Sequence, residues 1–374
     1  MIRKLFQISF IAFIGWVCFG CNNVAQHRSK LDFVAEPYSV IDNVKIEQLK
    51  INRRILGGEN YDAMSANVYD SLCVLYQRQT NHFFAIHNMN TGEMVGNFVR
   101  KGNGPLETTN ASIIHNIYEE NGELKTIVYD HNKFRLMICN ISKTIEVGTS
   151  VYDTIIPLSR QITNGRYVSY TSPTKDGDFC IRLNVQVFEE LRKVVPPKFA
   201  ILSRDNMQLK KEYNIFRDSI VDFSEVDKWR AEDPFEGHQA LNRDKNKFVY
   251  AMTYLPQINI LDLETNKLKS VRIKGTRIET TKEQYYYYTV VRTDKDYIYA
   301  LYQDRNSWIP PTPAGTPVDK IYKGRKPSEV HIFDWNGNLV RRCQLEGFYH
   351  SIDVYQGKIY AFLFYSGMIN EYLL

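Results

Sequence analysis

A short pattern recurs five times along this chain: a strand of alternating apolar residues, a polar turn, and a second strand running back. The five copies span residues 83–98, 136–147, 199–213, 258–273 and 330–345. Their equivalent isoleucines, at positions 86, 138, 201, 260 and 332, are 52, 63, 59 and 72 residues apart. A hairpin that recurs at slightly more than the roughly 40–50 residues of a plain four-stranded blade is typical of a β-propeller with loop insertions. The repeat therefore predicts an all-β propeller.

The number of blades follows from the strands that flank these hairpins. If each hairpin forms strands C and D of a blade, counted outwards from the central channel, strand B precedes it at 71–77, 124–130, 167–171, 247–253 and 297–303. The C-terminal segments 349–355, 358–364 and 368–374 supply strands A, B and C of a sixth blade that lacks its D strand. Residues 44–51 alternate apolar and polar side chains, as a half-buried strand does. Adding this strand to the last blade closes the ring without an open edge, so we predict a six-bladed propeller closed by an N-terminal strand.

The first 20 residues have the features of an export signal. Arg3 and Lys4 precede an apolar stretch at 5–17, which is shorter than the roughly 20 residues that span a bilayer. An uncleaved anchor helix is the alternative. Gly20-Cys21 resembles a bacterial lipobox, which implies that Cys21 carries acyl chains that attach the protein to a membrane. We therefore assign 1–20 to a lipoprotein signal peptide, 21–40 to a tether and 41–374 to the propeller.

The turn after the first hairpin carries a second resemblance. Gly102, Gly104, Pro105 and Glu107 resemble the G-x-G-P-x-E turn of TolB-like six-bladed propeller lipoproteins of Gram-negative bacteria, although Leu106 replaces a frequent glycine. The resemblance implies a binding or scaffolding lipoprotein without a known reaction. A phosphate-binding loop would need a lysine and a following helix, which are absent here. The residues themselves predict a structural turn, with Glu107 accepting hydrogen bonds from backbone N–H groups.

Several classes of partner are disfavoured by composition. Removal of the signal peptide lowers the formal net charge from +5 to +3, which is too weak to predict a nucleic-acid partner. The remaining cysteines, Cys73, Cys139, Cys180 and Cys343, are far apart and lack CxxC spacing, so we expect buried free thiols. The histidines show no metal-ligand spacing, and no metal or cofactor is expected. Asn22 and the absence of an acidic cluster at 23–29 favour the periplasmic side of an outer membrane over the cell surface.

Long loops indicate the binding surface. In a propeller the A-to-B and C-to-D turns emerge on one face, here called the turn face, and the B-to-C and D-to-A connections emerge on the other, here called the loop-rich face. Segments 172–198, 214–237 and 304–327 all belong to the loop-rich face, and long loops of this kind often carry function. Aromatic and arginine side chains that commonly anchor interfaces occur there. The candidate ligand-binding residues of these loops are Trp229, Arg230, Arg305, Trp308 and Tyr322.

Four consecutive tyrosines begin the fifth blade. Tyr285 and Tyr287 share one face of their strand and could form an aromatic platform for a sugar or peptide. Packing between neighbouring blades is the alternative interpretation of these rings.

Two functions remain open from the sequence. The first is a non-enzymatic lipoprotein that binds a peptide, protein or glycan through the loop-rich face. The second is a periplasmic hydrolase or lyase with a metal or carboxylate site in the channel, although no sialidase-type box, G-x-S-x-G or H-E-x-x-H motif occurs. Its candidate carboxylates are Asp130, Asp262, Asp334 and Asp353, and turn chemistry explains the first three.

Overall fold

The computed structural model of the chain describes residues 38–56, 63–78, 80–188, 193–216, 221–222, 235–276, 285–306, 324–364 and 368–374. These residues form six blades of four antiparallel strands around a central channel, so the predicted six-bladed all-β propeller is confirmed. Apolar clusters fill the spaces between neighbouring blades. Within the described part of the chain, no helix is both long and apolar enough to cross a bilayer.

The strands are numbered in chain order, and each blade is given from the channel outwards. The N-terminal strands are β1 (Tyr38–Ile41), β2 (Ile46–Gln48) and β3 (Arg53–Ile55). The first blade contains β4 (Ala63–Tyr69), β5 (Leu72–Gln77), β6 (His82–Asn88) and β7 (Met94–Arg100). The second contains β8 (Tyr118–Glu120), β9 (Glu123–Asp130), β10 (Arg135–Asn140) and β11 (Tyr152–Pro157). The third contains β12 (Val168–Pro173), β13 (Phe179–Leu183), β16 (Lys198–Leu202) and β17 (Leu209–Tyr213).

The remaining blades follow the same order. The fourth contains β19 (Gly237–Asn242), β20 (Lys247–Met252), β21 (Gln257–Asp262) and β22 (Leu268–Ile273). The fifth contains β23 (Tyr285–Thr293), β24 (Tyr297–Asn306), β25 (Glu329–Asp334) and β26 (Leu339–Gln344). The sixth contains β27 (Ser351–Tyr355), β28 (Lys358–Phe362), β29 (Ile369–Leu373) and β3. A small separate sheet contains β14 (Gln186–Phe188), β15 (Lys193–Val195) and β18 (Val221–Asp222). The described residues also contain two short helices, α1 (Ile141–Val147) and α2 (Arg160–Thr163).

Four of the five predicted hairpins are present, and the second is wrong. Instead of a turn at Ser142-Lys143, helix α1 connects β10 to the outer strand β11. The Asn140 side chain accepts a hydrogen bond from the Lys143 N–H, and Gly148 ends the helix with a φ of 71°. Asparagine is a favourable N-cap residue and glycine a favourable C-cap residue of a helix. These two caps favour a helix over the strand that the short apolar alternation predicts. The connection on the turn face is therefore longer here than predicted.

The third blade shifts the predicted strand assignment by one. Residues 167–171, predicted as strand B, correspond to the innermost strand β12, and β13 is strand B. All five residues of β13 are buried, which is characteristic of a strand packed on both faces. The segment 172–198 thus contains a turn, a complete strand and a shorter B-to-C insertion.

The ring is closed by an N-terminal strand, as predicted, but by a different one. Strand β3 pairs antiparallel with β29, with Ile55 opposite Ile369, whereas residues 44–51 do not join this blade. Strand β2 instead pairs in parallel with β26 of the fifth blade, and β1 pairs in parallel with β22 of the fourth. Ile55 is 2% exposed and Ile46 is 38% exposed. The strand that closes the ring is therefore the one whose isoleucine is buried in the core. Residues 38–55, here called the N-terminal belt, follow the outer edges of three blades.

The four cysteines of the propeller are buried and unpaired, as expected. Burial raises the pKa of Cys73, Cys139 and Cys180, so these thiols are protonated at neutral pH. They act as small apolar core residues.

Candidate functional site

The turn at 102–107 forms a structural crossover between the first two blades. The N–H of Gly104 donates to Glu107 Oε2 over 2.9 Å, and a Cβ at Gly102 would collide with the same carboxylate. Arg135 Nη2 donates to the Glu107 carbonyl over 2.9 Å, which ties the turn to the second blade. The anionic Glu107 side chain occupies the concave side of the turn, so the geometry suits a crossover and not an anion cradle.

The candidate residues of the long loops are described only in part. Cys21, Trp229, Arg230, Trp308 and Tyr322 lie outside the described residues, and so does the side chain of Arg305. The described ends of 214–237 and 304–327 emerge on the loop-rich face, and so does the part of 172–198 that follows β13. The start of 172–198 is instead the A-to-B turn of the third blade, which emerges on the turn face, so the prediction that this whole segment lies on the loop-rich face is wrong. Strand β15 of one loop pairs with β18 of another, which joins the two insertions into one sheet.

The two tyrosines of the predicted platform have different surroundings. Tyr287 is fully buried in the apolar cluster between the fourth and fifth blades, so its ring is inaccessible. Tyr285 is half-buried, and its hydroxyl donates to Asp304 Oδ1 over 2.9 Å. Of the two rings, only that of Tyr285 borders an open cavity.

That cavity, here called the fifth-blade pocket, lies on the loop-rich face between the fourth and fifth blades and has a volume of about 540 Å³. Its walls come from the starts of β23 and β25, the ends of β22, β24 and β26, and the N-terminal belt. Asp304 and Lys326, at the two ends of the longest B-to-C loop, both line it. Arg305, Trp308 and Tyr322 lie between these two residues in the sequence.

A paired network forms one wall of the fifth-blade pocket. Glu329 Oε1 accepts a hydrogen bond from His331 Nε2 over 2.7 Å, and Glu329 Oε2 accepts one from Arg342 Nη2 over 3.1 Å. The Tyr288 hydroxyl lies 3.1 Å from His331 Nδ1, and the Tyr302 ring stacks on the imidazole at 4.3 Å between centroids. Every charged group in this wall has an opposite partner.

The pKa values in this wall show how complete the pairing is. Burial by itself would raise the pKa of Glu329, but hydrogen bonds from His331 and Arg342 outweigh it and lower the pKa to about 2. Burial lowers the pKa of His331 despite the neighbouring carboxylate. At neutral pH, a neutral His331 therefore donates from Nε2 to an ionised Glu329 and accepts from the Tyr288 hydroxyl at Nδ1.

A second cavity opens on the opposite face of the propeller, at the central channel. This cavity, here called the channel mouth, lies on the turn face, has a volume of about 390 Å³ and is lined by the inner strands of several blades and the turns after them. At its wall, Arg292 Nε donates to Asp353 Oδ1 over 3.2 Å, and the N–H of Val68 donates to Asp353 Oδ2 over 2.6 Å. Burial nevertheless raises the pKa of Asp353 above its usual value. This ion pair only partly offsets the cost of burying the carboxylate.

Two of the histidines that line the channel are His115 and His238. His115 lines the channel mouth, and His238 lines a smaller cavity of about 230 Å³ on the loop-rich side. His115 is partly buried, whereas His238 has exposed surface that faces the space inside the channel. Burial lowers both pKa values to about 3, with a further contribution from Arg182 and Arg292. Both imidazoles are therefore neutral at physiological pH.

The candidate carboxylates of the enzyme hypothesis do not converge. Asp130 accepts from Thr108 and Arg135, and Asp262 and Asp334 accept backbone N–H groups in their turns, as turn chemistry predicted. Of the four, Asp353 alone lines the channel mouth. Among the described residues, no group of three or more His, Cys, Asp or Glu side chains is placed to hold a metal ion.

The sequence analysis missed both charged sites. Glu329 and His331 are two residues apart in one strand, and Arg342 lies directly opposite His331 in the next, so an E-x-H pattern facing an arginine was a readable signal. Arg292 and Asp353 come from different blades, and no local pattern connects them.

No protein-family model and no curated protein sequence matches the chain. Many solved structures resemble it, and two of them are from Bacteroides. One is a member of the DUF4221 family from Bacteroides vulgatus, with 12% identity and a TM-score of 0.56 over 87% of this chain and 97% of that one. The other is a protein from Bacteroides fragilis described as exported, with 10% identity and a TM-score of 0.47 over 85% of this chain and 88% of that one. The chain is thus a six-bladed β-propeller, similar in fold to the DUF4221 protein.

Proposed function

We propose that this protein is an exported, membrane-anchored lipoprotein whose propeller binds a glycan or an extended peptide in the fifth-blade pocket. The observation that carries the proposal is the position of this pocket. It opens on the loop-rich face, at the base of the longest B-to-C loop, and includes Tyr285. Structure and sequence thus point independently to the same side of the fifth blade.

The chemistry of the pocket suits a polar, uncharged chain. Tyr285 and Tyr302 provide flat rings, and Asn43, Gln303 and Gln344 provide amide groups that can donate and accept hydrogen bonds. Glu329 and Arg342 neutralise each other, so the pocket offers no strong net charge to an ion. Its volume falls within the roughly 300–1,000 Å³ common for ligand sites and fits a short segment of a longer chain.

The membrane attachment rests on the N-terminal sequence. Export and acylation of Cys21 are supported by Arg3, Lys4, the apolar stretch and Gly20-Cys21. The expected location is the periplasmic side of the outer membrane. The G-x-G-P-x-E turn supports a relationship to TolB-like propeller lipoproteins. A Cys21→Ala variant should move from the membrane fraction to the soluble envelope fraction. Retention in the membrane would favour an uncleaved anchor helix.

Ligand binding is tested by retention of molecules from an envelope extract on the purified mature protein. Tyr302→Ala should release most retained glycan or peptide, because this variant removes an aromatic surface of the pocket. Tyr297→Ala is the matched control, since Tyr297 lies on the same strand but at the turn-face end and is 38% exposed. The retained molecules are identified by mass spectrometry. Equal retention by wild type and Tyr302→Ala would refute binding in this pocket.

A further inference from the structure

The channel mouth differs from the fifth-blade pocket in how completely its charged side chains are paired. Three basic residues, Arg243, Arg292 and Lys295, and three acidic residues, Asp244, Asp294 and Asp353, line it. What distinguishes the two sets is how many of their polar atoms already have partners within the protein.

Two of the three acidic side chains, Asp294 and Asp353, already accept hydrogen bonds within the protein. Asp294 Oδ1 accepts the N–H groups of Asp296 and Tyr297, and its Oδ2 accepts the Tyr299 hydroxyl over 2.6 Å. Asp353 accepts from Arg292 and from two backbone N–H groups. Neither carboxylate has an oxygen left without a partner to attract a further cation.

Arg243 has no such compensation. It takes part in none of the ion pairs formed by the described residues, and its Nε is buried without a hydrogen-bond partner. Its guanidinium lies over the Tyr118 ring, with 5.0 Å between the guanidinium carbon and the ring centroid. The ring holds the charge in place but accepts no hydrogen bond from the planar N–H groups.

Arg292 contributes a second cationic group. Its Nε donates to Asp353, its Nη1 donates to the Val291 carbonyl, and its Nη2 has no hydrogen-bond partner among the described residues. The side chain is 14% exposed, and that exposure is towards the cavity that it lines. Because Arg292 Nη2 has no protein partner in the described part of the chain, an incoming acceptor at this atom replaces water and not a protein hydrogen bond.

We infer that the channel mouth binds a small organic anion through a carboxylate or phosphate group held by Arg243 and Arg292. Arginine is suited to such groups because its N–H groups match two oxygens of a planar or tetrahedral oxyanion. The volume of about 390 Å³ accommodates a ligand with a short organic body. Tyr118, Tyr170 and Tyr355 line the cavity beside the two arginines and would contact that body. The site lies on the turn face, so it does not depend on the fifth-blade pocket.

Inorganic phosphate and succinate serve as probes of the two oxyanion classes. Each is titrated against the mature protein by calorimetry and by thermal unfolding, with sodium chloride holding the ionic strength constant. We expect saturable binding of at least one probe and a rise in the unfolding temperature that saturates at the same concentration. A response to phosphate alone, to succinate alone or to both supports the site and identifies the preferred group. No saturable binding of either probe beyond the chloride control would overturn the proposal.

The arginine is tested by substitution. Arg243→Gln should weaken binding at least tenfold, and Arg243→Lys should have a smaller effect because it keeps the charge but loses the planar donor pair. Arg78→Gln is the control, since Arg78 is an exposed arginine of the first blade outside the cavity, and it should bind as wild type does. Thermal unfolding of each variant without the probe reports whether it has folded. Unchanged affinity in a folded Arg243→Gln variant would place the anion elsewhere and overturn the assignment.

Discussion

Glu329 and Asp353 are both buried carboxylates paired with an arginine, yet burial affects them in opposite ways. In the fifth-blade pocket, Glu329 has partners on two side chains, and its pKa falls to about 2. At the channel mouth, Asp353 has one arginine and two backbone N–H groups, and its pKa rises. The difference shows that an ion pair stabilises a buried carboxylate only when its hydrogen bonds outweigh the lost hydration. The pocket is electrostatically complete, whereas the channel mouth retains unused donors.

The largest expected effect is the loss of stability in Glu329→Gln. The ionised carboxylate contributes stability that is fully present above the unfolded pKa of 4.5 and is lost as the pH falls towards 2. At pH 7 this corresponds to about 3 kcal/mol of unfolding free energy. Urea unfolding measures it. Glu47→Gln, which removes an ion pair on the exposed belt, should cost less than about 1 kcal/mol. Equal losses in the two variants would contradict the complete pairing of the pocket.

The second effect is a loss of stability in mild acid that originates in the channel. His115 has a folded pKa of about 3 against 6.5 unfolded, so between these values the unfolded chain binds more protons and stability falls as the pH falls. From pH 7.5 to pH 5, His115 contributes a loss of about 2 kcal/mol.

The difference between wild type and His115→Gln over this range isolates the contribution of His115. Glutamine can still donate to the Ser169 carbonyl, which accepts from the histidine at 3.0 Å, but it cannot titrate. The variant should therefore show a flatter pH profile in thermal unfolding. Parallel profiles for wild type and His115→Gln would show that this ring is not buried as a neutral base.

A smaller effect is expected for Asp353→Asn. Its raised pKa means that ionisation of Asp353 opposes folding above the unfolded pKa of 3.8, so removing the charge recovers part of what the lost interactions cost. We expect a net loss of about 1 kcal/mol at pH 7, as for one replaced hydrogen bond. Urea unfolding of Asp353→Asn and Glu329→Gln under the same conditions compares their losses of unfolding free energy. A loss as large as that of Glu329→Gln would mean that the two carboxylates are equally well paired.

The smallest effect should come from Arg243→Gln without added anion. Arg243 forms no ion pair with a described residue, and only its contact with the Tyr118 ring is lost. The unfolding free energy should therefore change by less than about 1 kcal/mol. A larger loss would show that the arginine stabilises the fold and would weaken its role as a ligand-binding group.

Local patterns predicted most of the propeller but not its connections. The alternation in residues 258–273 and 330–345 identified two hairpins, because the side-chain period of a strand depends only on neighbouring residues. The same reasoning placed a hairpin turn in α1, where the Asn140 cap and Gly148 favoured a helix. It also chose residues 44–51 as the closing strand, because an edge strand alternates in the same way whichever blade it joins.

The candidate sites were predictable to a lesser degree. Loop lengths indicated the loop-rich face, and Tyr285 lies in the pocket found there, while Tyr287 is buried. The four tyrosines that line the channel mouth, Tyr69, Tyr118, Tyr170 and Tyr355, belong to four separate blades, so their proximity depends on the register of the whole ring.

The sequence by itself determined the repeated hairpins, the number of blades and the need for an N-terminal strand in the last blade, because these follow from periodicity along the chain. The tertiary structure decided that Arg53–Ile55 closes the ring and that Arg292 meets Asp353 across 61 residues. It also decided that Glu329 is fully paired while Arg243 is not. Burial and pairing depend on which distant side chains converge, and only closure of the ring brings them together.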